Sequence, residues 1–160
     1  MFSLYALVTN YYLVAAVSGW VAAQIIKAFT GFFKLQEFSV KTLLFGTGGM
    51  PSSHTAAVCG LFRACLLREG FGSPLVAISG VLAMIVMIDA MGVRQETGKQ
   101  AKALNLILAE LFSSDAENSN IHFKELIGHS PLQVFCGMIV GIVVACLLYL
   151  IPVFQSVPVL

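Results

Sequence analysis

Charge is what this chain lacks. Of its 160 residues only 11% are Asp, Glu, Lys or Arg, nine cations against eight anions, while 58% are hydrophobic and the mean hydropathy is +0.90. Soluble domains carry about 25% charged residues, so a water-soluble globular domain is excluded. A net charge of +1 leaves no basic footprint for nucleic acid, and no such partner is expected. No Gly/Ser/Pro-rich linker divides the chain, so a single domain over residues 1–160 is expected. The four cysteines, Cys59, Cys65, Cys136 and Cys146, lie in apolar runs without a CxxC pair. That spacing suits neither a metal site nor a disulfide framework, and they read as small apolar packing residues. No metal or other cofactor is expected.

What is present is a set of long apolar runs. Residues 1–26, 42–62, 70–88 and 126–160 carry no charge. A bilayer core about 30 Å thick needs about 20 apolar helical residues to cross it. The pattern therefore predicts an all-α integral membrane bundle with about four transmembrane helices, near 5–27, 53–69, 73–92 and 131–153. The first run has no cation ahead of it, and Lys27 follows it, so it reads as a retained helix rather than a signal peptide. Residues 28–50, with Lys34, Glu37, Lys41 and the glycines Gly46, Gly48 and Gly49, predict a re-entrant or amphipathic stretch ending in a loop. Over 94–112, Val93, Ala101, Leu104, Leu108 and Leu111 recur at helical spacing with Lys99, Lys102 and Glu110 elsewhere, which predicts an interfacial helix. A polar loop, Ser113 to Asn120, follows.

The distribution of cations predicts orientation. With four spans, Lys27, Lys34, Lys41, Arg94, Lys99, Lys102 and Lys124 fall on one face; Arg68 falls on the other with Arg63 buried nearby. Seven against two is a positive-inside bias. It predicts a multi-pass protein of the cell membrane with the cation-rich segments in the cytoplasm and both termini away from it.

Chemistry-bearing residues gather on that face. Gly48-Gly49-Met50-Pro51-Ser52-Ser53-His54 precedes an apolar helix. Glycines let backbone N–H groups approach a ligand, Ser52 or Ser53 can cap the helix, and the helix start favours an anion such as phosphate. Gly128-His129-Ser130-Pro131 repeats the arrangement before the last run, with Ser130 as cap and Pro131 at the first helical position. The positive end of a helix dipole favours neutral imidazole, the form that attacks phosphorus or accepts a proton. A bound phosphate favours the protonated form, suited to a leaving oxygen. Lys27 and Arg94 can hold phosphoryl oxygens, Lys124 is a further candidate, and Asp89, inside an apolar helix, needs a partner. Both imidazoles are expected to line one polar cavity with Lys27 and Arg94. His122 reads as solvated. Gly137 and Gly141 form a GxxxG step for close helix packing, inside the fold or between the protomers of a homodimer.

These motifs resemble the type 2 phosphatidic acid phosphatase superfamily, and most closely its divergent branch of small membrane proteins. The resemblance is carried by Gly48 to His54, by Asp89-Ala-Met-Gly-Val-Arg94, by Gly98-Lys-Gln-Ala101, by Leu104-Asn105 and by Lys124 to Pro131, and it covers nearly the whole chain. It implies a metal-independent hydrolase of lipid phosphate monoesters in which His129 attacks phosphorus and His54 protonates the leaving alcohol. It further implies Lys27, Gly49, Ser52, Ser53 and either Arg94 or Lys124 as the phosphate-binding set. Phosphatidylglycerophosphate, phosphatidic acid or an isoprenoid pyrophosphate fits as substrate. Gln133 stands where the superfamily has the Asp that orients the nucleophile; Gln accepts a hydrogen bond but offers no charge, so either Asp89 or Glu125 substitutes in space or activity is weak or absent. The alternative from another class is a non-catalytic phospholipid- or phosphate-binding membrane protein or a transporter component.

Overall fold

The computed structural model describes residues 4–32, 50–111, 123 and 128–156. Seven helices are described: α1 (Leu4–Val8), α2 (Tyr11–Phe32), α3 (Ser53–Glu69), α4 (Pro74–Met91), α5 (Val93–Leu111), α6 (Pro131–Tyr149) and α7 (Pro152–Ser156). Among the described residues there is no strand.

Caps set the helix boundaries. Asn10 opens α2, its side-chain oxygen accepting the Leu13 N–H at 3.1 Å and its carbonyl the Val14 N–H at 2.9 Å, so the N-terminal run breaks at Thr9-Asn10 into two helices. α2 then continues five residues past Lys27. Lys27 therefore lies within the helix rather than closing it, and the first residues of the expected re-entrant or amphipathic stretch, 28–32, continue that helix. Residues 33–49, the loop 113–120 and His122 lie outside the described residues. Ser73 with Pro74, and Ser130 with Pro131, start α4 and α6. Pro152, which cannot continue a helix ending at Tyr149, begins α7.

α3 lies at the centre, packed against α2, α4 and α6, while α5 packs on α4. α2 and α4 run one way and α3 and α6 the other. The interior is built of small residues: Ala15, Ala23, Ala56, Ala64, Ala83 and Ala145 are buried, and Thr55 and Ser52 are the largest fully buried side chains. The large apolar ones point outward, among them Val17, Val21, Ile78, Ile85, Ile139 and Val143. In a lipid solvent, apolar side chains gain little by turning inward, and small residues let backbones approach. Gly137 and Gly141 make that approach to α3 of the same chain: a Cβ on Gly141 would stand 2.2 Å from the Ala56 carbonyl oxygen, and one on Gly137 2.4 Å from that of Ser52. This glycine face is occupied within one chain.

Among the described residues three stretches are long and apolar enough to cross a membrane, Tyr11–Thr30, Pro74–Glu110 and Pro131–Tyr149. The expected fourth, α3, is a 17-residue helix, about 25 Å at 1.5 Å per residue, and carries Arg63, Arg68 and Glu69 in its second half. Enclosure by three apolar helices makes that composition tolerable. At its far end the polar groups find partners: Tyr12 donates to the Glu69 carboxylate, Arg68 to the Phe154 carbonyl, Tyr11 to the Ala145 carbonyl at 2.7 Å and Arg63 to Cys146 Sγ at 3.3 Å. Cys146 is thus an acceptor as well as a packing residue. Tyr11 also stacks obliquely on Tyr12, Tyr149 and Phe154.

Candidate functional site

The opposite end of the bundle assembles the two histidine-bearing helix starts. Ser52 caps α3, its Oγ accepting from the Thr55 N–H at 3.5 Å and the Thr55 hydroxyl at 3.0 Å. Its N–H donates to the Gln133 carbonyl at 3.0 Å. That bond joins the first turn of α6 to the cap of α3, and Gly137 permits it, because any side chain there would strike the Ser52 carbonyl. Thr30, one turn beyond Lys27, donates to the Met50 carbonyl at 2.9 Å and brings α2 to the same end. The His129 N–H donates to the Ala90 carbonyl at 3.1 Å, which brings the last turn of α4. Four helix ends therefore meet through hydrogen bonds at one level.

The chemistry of His129 follows from its partners. Ser130 and Gln133 form a capping box: Gln133 N–H donates to Ser130 Oγ at 3.4 Å, and Ser130 N–H to Gln133 Oε1 at 3.0 Å. An amide N–H can only donate, so the second bond fixes Oε1, not Nε2, on this side of Gln133. His129 Nδ1 lies 3.0 Å from that same oxygen. An acceptor oxygen requires a protonated Nδ1, so the lone pair of neutral His129 is on Nε2. Gln133 performs the orienting half of a carboxylate's role without its charge. Orientation by Asp89 is therefore not needed at Nδ1; Asp89 is half-buried beside Ala90, whose carbonyl holds the His129 N–H.

The two rings differ in enclosure. His129 is 3% exposed, whereas His54, at the second position of α3, is exposed. The two helix starts share one level, with the His54 ring exposed and the His129 ring enclosed. Lys27 is 9% exposed and lies one turn before Thr30. Ser53 is buried, and Ser52 is fully buried with both its N–H and its hydroxyl engaged inside the protein. Ser52 is therefore a cap of α3 and a tether to α6. The backbone of Arg94 lies in the first turn of α5, and its side chain, with Gly49, Lys124 and Glu125, lies outside what the structure describes.

Two contributors escape a reading by motif. Thr55 completes the Ser52 cap, and the Ser130-x-x-Gln133 box is legible only if Gln133 is read as a cap partner rather than as a substituted acid.

The structure is thus a helical bundle that sets a histidine on each of two tethered helix starts. The chain matches the model of the divergent PAP2 family over residues 8–144 and belongs to that family. It is 36% identical over 152 aligned residues, covering 89% of this chain and 96% of the relative, to the uncharacterized membrane protein YuiD of Bacillus subtilis (strain 168). No solved structure matches the chain.

Proposed function

We propose that the protein is a membrane phosphatase that hydrolyses a phosphomonoester on a lipid, of the phosphatidylglycerophosphate or phosphatidic acid type. The observation that supports this reading most is the Ser52–Gln133 tether, together with the Nε2 lone pair that Gln133 leaves on His129. In this reading Nε2 attacks phosphorus, an N–P bond forms and the P–O bond to the lipid alcohol breaks. His54 gives that oxygen its proton. Water then attacks the phosphohistidine, His54 takes the proton back, and inorganic phosphate leaves with the imidazole restored. Lys27, with Arg94 or Lys124, balances the charge on the equatorial oxygens. The cation distribution supports a site at the cytoplasmic face of the cell membrane, and a reporter inserted within Ser113 to Asn120 is expected to register in the cytoplasm.

A second reading, binding of a phosphorylated headgroup without turnover, is favoured by the enclosure of His129 and the neutral Gln133. Purified protein assayed with chelator present against phosphatidic acid, phosphatidylglycerophosphate and an isoprenoid pyrophosphate separates the two. Phosphate release from a lipid monoester, lost in His129→Ala, is the expected result. Vesicle binding without release from any of them gives the second reading.

A further inference from the structure

We propose that α5 docks lengthwise on the bilayer, with Val93, Leu104 and Ile107 sunk among phospholipid acyl chains and its charged side chains in water. Length alone does not distinguish this placement from a crossing. The helix has 19 residues, about 28 Å at 1.5 Å per residue, and α4 and α5 together make one apolar stretch from Pro74 to Glu110. Its side chains decide. Lys99 and Lys102 stand near the middle of α5 and are exposed, and Lys99 pairs with the exposed Glu96 at 2.7 Å. A crossing α5 would hold these charges in hydrocarbon, whereas charged side chains at membrane depth are rare and turn toward protein or a watery cavity.

At 3.6 residues per turn α5 has three sides. One is turned to the protein, with Gly98 buried and Ala101 and Leu108 half-buried. A second carries Glu96, Lys99, Lys102 and Glu110, all exposed, with Leu106 among them. The third joins the exposed Val93, Leu104 and Ile107. Thr97 lies on this third side as well, and its hydroxyl donates back to the Val93 carbonyl at 2.8 Å, so its polar atom has a partner inside the helix. Gln100 adds an uncharged amide there.

Continuity with the spanning surface identifies what covers the third side. α4 lies in a stretch able to cross the membrane, and its Ile85 and Ile88 are exposed. That surface leads across Gly92, whose carbonyl accepts the Gln95 and Glu96 N–H groups at 3.0 Å each, to Val93. The charged side carries two anions and two cations, which leaves the attraction to apolar burial rather than to lipid charge. The surface adjoins the candidate site: a Cβ on Gly128 would stand 2.6 Å from the N and Cα of Gln95, and the His129 N–H is held by the Ala90 carbonyl. It requires no reaction there.

The test uses the full-length protein in phosphatidylcholine bilayers. The chain has a single tryptophan, so Trp20→Phe gives a background in which one introduced indole reports its own surroundings. Leu104→Trp and Ile107→Trp probe the apolar side, and Lys99→Trp and Lys102→Trp the charged side. The quenchers are lipids brominated near the headgroup end of the acyl chain, lipids brominated near its methyl end, and acrylamide in the water. Leu104→Trp and Ile107→Trp are expected to be quenched at least about threefold more by the shallow bromolipid than by either other agent, since a docked helix sinks about 5–10 Å. Lys99→Trp and Lys102→Trp are expected to be reached chiefly by acrylamide. Strongest quenching of Lys102→Trp by the deep bromolipid means that α5 crosses, and overturns the proposal. Quenching of Leu104→Trp and Ile107→Trp chiefly by acrylamide overturns it too, as does their protection from all three agents, which means that protein, a second copy included, covers the strip. If the variants do not reconstitute, the wild type decides by photolabelling from a carbene precursor on the acyl chain: adducts on Val93, Leu104 or Ile107 and none on Lys99 or Lys102 are expected, and the reverse pattern, or no adduct on α5, overturns the proposal.

Discussion

The two ends of this bundle are closed by different means. At one end the closing groups are side chains: Tyr12 on Glu69, Arg68 on the Phe154 carbonyl, Tyr11 on the Ala145 carbonyl and four aromatic rings in contact. At the other the closing bonds are mostly between backbones: Ser52 to Gln133, His129 to Ala90, and the Thr30 hydroxyl to the Met50 carbonyl. Side chains that close a bundle are committed to stability. At this end the starts of α3 and α6 meet the last turns of α2 and α4, and His54, His129 and Lys27 lie among them. The comparison teaches that polarity inside a membrane protein has two uses, and that the partner type, not the residue type, tells them apart.

That contrast can be broken by substitution. The largest effect short of removing the nucleophile is expected from His54→Ala, a loss of about 10²–10⁴-fold in kcat for the lipid substrate, largely restored by substrates with an activated leaving group; melting should barely move, because the ring is exposed. Gln133→Ala removes the acceptor at Nδ1 and half the capping box, and kcat should fall on the order of 10²-fold. Gln133→Glu keeps the acceptor and adds charge; a carboxylate favours imidazolium, so the neutral nucleophile appears only at higher pH and the acidic limb of the rate profile should move upward. Gly137→Ala should destabilise the bundle by about 1–3 kcal/mol in a denaturant titration and lower kcat with it, since its Cβ strikes the carbonyl of the residue that tethers the two starts. The smallest effect belongs to the aromatic end: Tyr11→Phe should cost about 1 kcal/mol of stability and leave kcat unchanged. A comparable loss of kcat from Tyr11→Phe would erase the distinction between the ends.

Much of the fold was legible because a membrane is written in runs of uncharged residues, and α3, α4 and α6 begin within about a residue of the positions that Ser52, Ser73-Pro74 and Ser130-Pro131 mark. The centrality of α3 was not. Nothing in its own composition distinguishes a helix wrapped by others from a short span, since its Arg63 and Glu69 take partners 83 and 57 residues away in sequence. Of the site, the two histidines on one end were visible as two repeated helix-start signals. The tether between them was not, because Ser52 N–H and Gln133 C=O are backbone groups that every residue possesses. Gln133 illustrates the opposite case: its role was in plain view as a capping-box partner, yet comparison with an acid at that position directs attention to the charge it lacks.

In the proposed reaction Nε2 of His129 is the atom that bonds to phosphorus, and trapping measures that directly. Purified protein in bilayers is mixed with a phosphatidic acid or phosphatidylglycerophosphate labelled in its terminal phosphate, quenched with alkali, and the labelled residue located. The account predicts an acid-labile, alkali-stable label on His129 in the wild type, more of it in His54→Ala turning over an activated substrate, and none in His129→Ala. Phosphate release without any label on His129, or a label that survives His129→Ala, contradicts it.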